Sequence, residues 1–301
     1  MPTVKLDGIF VPHVTPFKHN GEIHKEALRT CVQFWIEGGV SGLLPCGSNG
    51  EAPYLSREER KKVIETVVDE SNGKVPVVAG TGSMSSWETI QFTKDAKDLG
   101  VDAALVVTPF YFKLSNLEIF QHYKAILEAV DLPIILYSVP KFTGFHLDLA
   151  VISQLASEYE NVVGVKDSGG SIGRITEIIR LVGEKISVLA GTADLTLPTL
   201  MQGGRGAVIA VANIIPRLCS RLYEAVMKGD YAEASRLQLR VSYLNEVLIK
   251  RYNQLSAIKT ALDRLGLSGG YPRRPALPLN EEEKKEIEDL LKTTLEPSSG
   301  P

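Results

Sequence analysis

Residues 161–170 read NVVGVKDSGG, and this stretch decides how the rest of the chain is interpreted. It begins with β-branched residues, which are typical of a buried strand, and passes at Lys166 into the small and polar residues of a turn. Partial desolvation at the end of a buried strand disfavours the ammonium form of a lysine, which makes Lys166 a candidate Schiff-base nucleophile. The alternative is a lysine that leaves the strand and reaches water, and the surrounding chain has to decide between the two.

The pattern of a short apolar run followed by an amphipathic segment recurs along the chain. Eight runs are predicted as strands: residues 8–14, 40–46, 75–80, 102–107, 132–137, 162–166, 186–191 and 206–211. Predicted helices between them cover residues 23–38, a segment from 56, and residues 85–99, 116–130, 148–158, 172–182 and 193–202. Eight such units, with no gap for a second domain, predict one α/β domain, a (β/α)8 TIM barrel, rather than an open doubly wound sheet.

The chain divides into three predicted parts. Residues 1–229 form the barrel, which carries the active site. Residues 230–294 form a C-terminal helical extension, with helices over 230–249 and 281–292. Residues 295–301 are rich in proline, serine and glycine and are predicted to be a disordered tail.

Composition excludes several classes of protein. Of the 301 residues 44% are hydrophobic, and the net charge of −3 provides no basic surface for nucleic acid or an acidic membrane. No apolar run reaches the roughly 18 residues of a membrane span, and the N-terminus lacks the apolar segment of a signal peptide. The three cysteines, Cys31, Cys46 and Cys219, argue against a disulfide framework and favour the cytoplasm. No Cys/His cluster has the spacing of metal ligands.

Polar residues follow the predicted strands at the carboxyl ends, where barrels carry their active sites. Tyr137 and Lys166 end neighbouring strands, so one substrate can reach both. A tyrosine hydroxyl beside an amine can donate and accept the protons of imine formation if a second hydroxyl, such as that of Ser48, relays them. Gly47 and Gly50 allow their loop to direct backbone N–H groups at a carboxylate. Each residue also has an ordinary interpretation, as a rim tyrosine or a capping turn.

Four motifs carry a resemblance to a known family: GSNGE at residues 47–51, YSVP at 137–140, GVKD at 164–167 and GAVI at 206–209. Over nearly its whole length the chain resembles the pyruvate-dependent class I aldolases of the dihydrodipicolinate synthase and N-acetylneuraminate lyase superfamily. The resemblance implies a covalent imine of pyruvate on the protein, no metal or organic cofactor, and a homotetramer built as a dimer of dimers.

The resemblance also implies roles for individual residues. Lys166 corresponds to the Schiff-base lysine and Tyr137 to the proton-relay tyrosine. Tyr111 corresponds to a tyrosine that enters the site of the neighbouring subunit and completes the relay there. Ser48 and Asn49 occupy the positions of two hydroxyl residues that bind the carboxylate of pyruvate, with Asn49 in place of the usual threonine.

The resemblance also indicates which residues contact the substrates. Val208 corresponds to a residue whose backbone contacts pyruvate, and Gly47 and Gly191 are expected to bind substrate through their backbone. Lys141, Phe142 and Thr143 are expected to contact the aldehyde. Dihydrodipicolinate synthases have an arginine where this chain has Phe142, and a phenyl ring cannot form the bidentate pair of an arginine with a carboxylate. Lys141 could supply a point charge in its place.

The motifs therefore favour a class I aldolase that cleaves a 4-hydroxy-2-oxo acid to pyruvate and an aldehyde. Three segments, 47–51, 137–140 and 166–170, resemble 4-hydroxy-2-oxoglutarate aldolases, and the segment around Phe142 resembles archaeal 2-keto-3-deoxygluconate aldolases. N-acetylneuraminate lyases also have an apolar residue there. The alternatives are 4-hydroxy-tetrahydrodipicolinate synthase, which condenses pyruvate with aspartate semialdehyde, a dehydratase of 2-keto-3-deoxy acids, and a non-catalytic sensor that binds pyruvate.

Overall fold

The computed structural model describes residues 4–295. Within them, eight parallel strands pair in the order β2-β1-β8-β7-β6-β5-β4-β3, and a parallel bridge between Leu43 and Val77 joins the two ends of the sheet. The strands are β1 (Gly8–Val11), β2 (Gly42–Leu43), β3 (Val78–Gly80), β4 (Ala103–Val107), β5 (Ile134–Ser138), β6 (Val162–Asp167), β7 (Ser187–Ala190) and β8 (Gly206–Val208). The predicted (β/α)8 barrel is confirmed.

Helices lie between the strands and beyond the last one. They are α1 (Lys25–Glu37), α2 (Arg57–Ser71), α3 (Ser86–Asp98), α4 (Asn116–Ala129), α5 (Pro140–Thr143), α6 (Leu149–Glu158), α7 (Ile172–Val182), α8 (Thr196–Met201), α9 (Pro216–Met227), α10 (Tyr231–Asn245), α11 (Gln254–Arg264) and α12 (Glu281–Leu295). The capping box at the start of α2 is present, because Ser56 and Glu59 each bond the other's backbone N–H. No helix within residues 4–295 is both long and apolar enough to cross a bilayer.

Three helices, α5, α9 and α11, are absent from the sequence predictions. The first has a single turn, too short for a periodic signal. Helix α9 carries two sequence signals, Pro216 in its first turn and an apolar face that is buried at Leu222 and Val226. Seven of the strands are also shorter than the apolar runs that predict them, whereas β6 extends one residue further than predicted, to Asp167.

The side chains of the strands alternate between two cores. Along β5, Ile135 and Tyr137 point into the barrel, whereas Ile134 and Leu136 pack against the helices. Because the alternation has a period of two, any strand residue's neighbours two positions away share its face. The barrel interior is thus lined by apolar side chains along most of its length, and polar residues lie at the carboxyl ends of the strands.

The C-terminal helices contact the barrel. Helix α10 packs on α9, and residues 246–250 continue it as a π-helical turn that contacts α11. Leu295, which the sequence analysis assigns to the disordered tail, ends α12 instead. Residues 296–301 of that predicted tail lie outside the described part of the chain.

Candidate active site

Lys166 and Tyr137 lie side by side at the top of the barrel. They are paired in register across β5 and β6. Both are buried, with 4% and 6% of their surfaces exposed, and the Lys166 Nζ lies 4.2 Å from the centre of the Tyr137 ring. A carbonyl carbon that bonds to Nζ therefore lies next to the phenol. The lysine does not leave the strand for water, so the alternative interpretation of Lys166 is wrong.

Asp167 fixes the end of the strand that carries the lysine. Its carboxylate is fully buried and accepts a hydrogen bond from Arg174 Nε on α7 at 2.8 Å. The other carboxylate oxygen accepts the Gly169 backbone N–H at 2.9 Å. Because Asp167 faces the helices, period-two alternation turns its neighbour Lys166 into the barrel.

A cavity of about 270 Å³ surrounds the lysine, and we call it the lysine cavity. Nine of the predicted site residues line it: Gly47, Ser48, Asn49, Tyr137, Lys141, Phe142, Lys166, Gly191 and Val208. A second cavity of about 750 Å³ shares part of this lining and extends towards α2 and α3. The predicted residues are therefore brought together, although their segments are spread over some 160 positions of the chain.

The 47–51 loop, which carries Ser48, is held through its backbone and through the side chain of Asn49. Thr15 Oγ1 donates to the Gly50 carbonyl at 2.8 Å. The Asn49 side chain donates to the Pro12 carbonyl at 2.9 Å and accepts a hydrogen bond from Gln254 Nε2. Both polar ends of the Asn49 amide are thus engaged by protein groups, which leaves Ser48 and the loop's backbone to meet a bound carboxylate.

Ser168, which the sequence analysis does not single out, is the one described residue with a hydrogen bond to the Tyr137 hydroxyl. Ser168 Oγ lies 3.5 Å from Tyr137 Oη and donates to the Gly191 carbonyl at 3.2 Å. No hydrogen bond of the described residues joins Ser48 to Tyr137. The two-residue alternation of strand side chains could have indicated Ser168, because residues 166 and 168 lie on the same face at the end of the strand.

The residues expected to contact the aldehyde substrate lie on the one-turn helix α5. Phe142 is half exposed and lines both cavities, and the Lys141 Nζ lies 5.5 Å from the centre of its ring. Thr143 lines only the second cavity, and its hydroxyl is hydrogen-bonded to the backbone carbonyls of Val139 and Phe145. Lys141 is therefore the cation and Phe142 the apolar surface that α5 presents to a substrate.

Tyr111 lies away from both cavities of its own chain. It follows β4, it is 76% exposed, and its ring meets that of Phe112 edge-on at 5.1 Å. Within residues 4–295, no group of histidine, cysteine and acidic side chains is arranged to hold a metal ion. A buried amine, a phenol and two hydroxyls around one cavity suit the formation of an imine with a small keto acid.

The chain is similar to proteins of one family over nearly its whole length. A model of the dihydrodipicolinate synthetase family matches residues 5–294. A protein of Methanothrix thermoacetophila named 4-hydroxy-tetrahydrodipicolinate synthase is 40% identical over 285 residues, which cover 94% of this chain and 95% of that protein.

Solved structures of related proteins also superimpose on nearly the whole chain. A dihydrodipicolinate synthase from Aquifex aeolicus superimposes with a TM-score of 0.92 at 35% identity, covering 98% of this chain and 100% of the other. YagE, a prophage protein of the dihydrodipicolinic acid synthase family from E. coli K12 that was crystallised with pyruvate, gives a TM-score of 0.93 at 30% identity, covering 96% and 99% of the two chains.

Proposed function

Because the chain belongs to the dihydrodipicolinate synthetase family, we propose that it makes or breaks a carbon–carbon bond between pyruvate and an aldehyde through an imine on Lys166. Enzymes of this family form a covalent Schiff base between pyruvate and a lysine and use no external cofactor. The observation that carries the proposal for this chain is the buried pairing of Lys166 with Tyr137 in one cavity.

The steps follow from these side chains. The Lys166 amine attacks the keto carbon of pyruvate, and the carbinolamine loses water to give the imine. Loss of a proton from the methyl carbon gives an enamine, which attacks the aldehyde carbon, and hydrolysis of the resulting imine releases the product. Tyr137 donates and accepts the protons, with the hydroxyl of Ser48 or Ser168 as its relay. Cleavage of a 4-hydroxy-2-oxo acid is the same sequence in reverse.

We propose aspartate semialdehyde as the aldehyde, which makes the reaction that of a 4-hydroxy-tetrahydrodipicolinate synthase. In this case the amine of the aldehyde attacks the imine carbon and displaces the Lys166 amine, which closes the ring in place of hydrolysis. The names of relatives that match over nearly the whole chain support this choice. They favour the synthase over the aldolase that the sequence analysis ranks first. Lys141, which lines both cavities and has no ion pair among the described residues, is the cation available for the second carboxylate.

One observation favours a second candidate, the aldolase acting on 2-keto-3-deoxygluconate or 4-hydroxy-2-oxoglutarate. Phe142 occupies the position where synthases have an arginine, and its half-exposed ring lines the lysine cavity. An apolar ring suits glyceraldehyde, the uncharged aldehyde that 2-keto-3-deoxygluconate gives. The glyoxylate that 4-hydroxy-2-oxoglutarate gives carries a carboxylate, so this observation favours 2-keto-3-deoxygluconate. The two candidates differ only in the aldehyde, because both need the same imine.

Lys141→Met separates the two candidates. We expect it to lower kcat/KM for aspartate semialdehyde by roughly 10- to 100-fold, because a charge-assisted hydrogen bond to a carboxylate is lost. Borohydride trapping of pyruvate should be unchanged. Lys185→Met, which removes an exposed lysine before β7, is the matched control and should have no effect. Faster cleavage of either 2-oxo acid, together with a silent Lys141→Met, would replace the synthase by the aldolase.

We also propose a homotetramer in which Tyr111 enters the neighbouring subunit's site. Several large apolar side chains are exposed around the starts of α3 and α4: Met84, Trp87, Tyr111, Phe112 and Leu117. Exposed apolar surface of this kind marks interaction sites, and the resemblance assigns it to a second copy of the chain.

Light scattering should give four times the mass of one chain. Trp87→Glu, which places a charge on this surface, should give smaller particles with a kcat reduced roughly 10- to 100-fold, because the relay loses Tyr111. Trp87→Tyr is the conservative control and should remain tetrameric. A fully active monomer would remove the proposed role of Tyr111.

We infer a cytoplasmic location for the enzyme. Cys31, Cys46 and Cys219 are all free thiols buried in the barrel and its helices, as is usual for proteins of a reducing compartment. Recovery of the activity in the cytosolic fraction of source cells is the corresponding measurement.

A further inference from the structure

The helical extension reaches back to the 47–51 loop and buries an ion pair there. We propose that the pair between Glu51 and Lys259 is a positioning device, which holds the 47–51 loop so that Ser48 and the loop's backbone can bind the carboxylate of pyruvate. The inference rests on the proposed pyruvate chemistry, but it assigns a role to two residues outside the lysine cavity.

The pair is closed off from solvent. Each of the two residues is 1% exposed, and the Lys259 Nζ lies 2.6 Å from Glu51 Oε1. The same ammonium donates to the Tyr271 carbonyl at 2.7 Å and lies 4.4 Å above the ring of Phe17. The other carboxylate oxygen, Oε2, accepts the backbone N–H of Arg273 at 2.8 Å. Neither charge is available to a ligand, so the pair acts through what it holds in place.

Glu51 connects the pair directly to the loop. Its backbone is left-handed, with φ at 58°, a conformation that is unfavourable for a residue other than glycine. In that conformation its N–H donates to the Ser48 carbonyl at 3.2 Å. The Ser48 hydroxyl has no hydrogen-bond partner among the described residues, so its place in the cavity depends on this backbone geometry. The side-chain anchor of Glu51 is what keeps the strained turn in register with the cavity.

A second contact from the same helix acts in the same direction. Gln254 begins α11, the helix that carries Lys259, and it donates to the Asn49 side chain. The extension therefore holds two residues of the SNGE segment, Asn49 through Gln254 and Glu51 through Lys259. The loop that meets the substrate is supported by residues more than 200 positions later in the chain.

Stability is a poor explanation for keeping this pair. Burial lowers the pKa of Lys259 to about 8, although the neighbouring carboxylate of Glu51 raises it, as does Asp263 on the same helix, and Arg273 lowers it further. Because the folded value lies below the ordinary value of 10.5, the unfolded chain binds the proton more tightly, and the buried charge opposes folding below pH 8. Buried ion pairs are often replaceable by apolar residues without loss of stability.

The test compares variants by the Michaelis constant for pyruvate. Glu51→Gln/Lys259→Met removes both charges and keeps the shapes, so it should fold with a melting temperature close to that of the wild type. We expect its KM for pyruvate to rise at least tenfold while kcat at saturation falls less than threefold. Glu70→Gln is the matched control, because it weakens the ion pair of Arg29 with Glu70, which joins α1 to α2 and has no contact with the loop, and its KM should stay within twofold.

The dependence of the KM for pyruvate on pH gives a second measurement, which would not change if the pair had only a structural role. Deprotonation of Lys259 should raise the KM of the wild type for pyruvate above about pH 8. Lys259→Arg keeps the charge at every pH used, so its profile should lack this rise. This variant also keeps the proposal testable if the double variant does not fold.

Three results would overturn the proposal: an unchanged KM in the folded double variant, an equal rise in Glu70→Gln, or an alkaline rise that Lys259→Arg retains. Failure of the proposed function looks different, because wild-type protein would then form no borohydride adduct with pyruvate. An adduct in the wild type with an unchanged KM in the double variant would reject only the role of Glu51 and Lys259.

Discussion

Lys166→Met should form no covalent adduct when it is treated with pyruvate and borohydride, whereas the wild type should gain the mass of one reduced pyruvyl group per chain. We expect kcat to fall on the order of 10⁴-fold or more, because loss of the nucleophile removes the imine and every later step depends on it. Intact-mass measurement with and without borohydride checks the adduct, and peptide mapping locates it. Methionine fills the buried space left by the lysine, so the fold should persist.

A second lysine variant serves as the control for Lys166→Met. Lys185→Met removes an exposed lysine and should form the adduct as the wild type does. An adduct of equal yield in Lys166→Met would place the Schiff base elsewhere. Pyruvate binding by the wild type without an adduct or turnover of any tested 2-oxo acid would support the non-catalytic sensor instead.

Tyr137→Phe should lower kcat by roughly 10²- to 10⁴-fold, the usual contribution of one general acid–base group. The ring stays in place beside the Lys166 amine, so the fold and the binding of pyruvate should change little. Borohydride should still trap the imine, but at a slower rate, because the carbinolamine loses its proton donor. Rapid-quench mass measurements of adduct formation against time separate this rate from the final yield.

Tyr123→Phe is the matched control for the loss of a buried hydroxyl. Tyr123 lies on α4 outside the barrel, and its Oη donates to the Val106 carbonyl at 2.9 Å. Its removal should cost about 1 kcal/mol of unfolding free energy and leave kcat unchanged. If the two variants lost activity equally, the effect of Tyr137→Phe would be structural rather than catalytic.

Much of the fold and the chemical centre follows from local sequence patterns. Apolar runs of strand length, separated by helical periodicity, predict the strand count, because each unit has to bury one face against the next. Strand order in a (β/α)8 barrel then places Tyr137 beside Lys166, and the structure shows the pairing. The family comparison bears out the superfamily, whereas the relatives' names favour the synthase over the predicted aldolase.

Other features escape a reading of the sequence because their signals are weak or not local. Helix α5, which presents Lys141 and Phe142, has one turn and no periodicity. Ser168 looks like a turn residue until the strand end places it 3.5 Å from the Tyr137 hydroxyl. Asn49 looks like a ligand for the substrate's carboxylate until its amide is seen bonded to Pro12 and Gln254.

The sequence by itself determined the barrel, the lysine that ends its sixth strand and the tyrosine on the strand beside it. These depend on hydrophobic periodicity and on the fixed neighbours of a parallel barrel, both of which are written locally in the chain. Only the tertiary structure decided what holds the 47–51 loop. Glu51 meets Lys259, and Asn49 meets Gln254, because closure of the barrel and packing of the helical extension bring together segments that no local pattern connects.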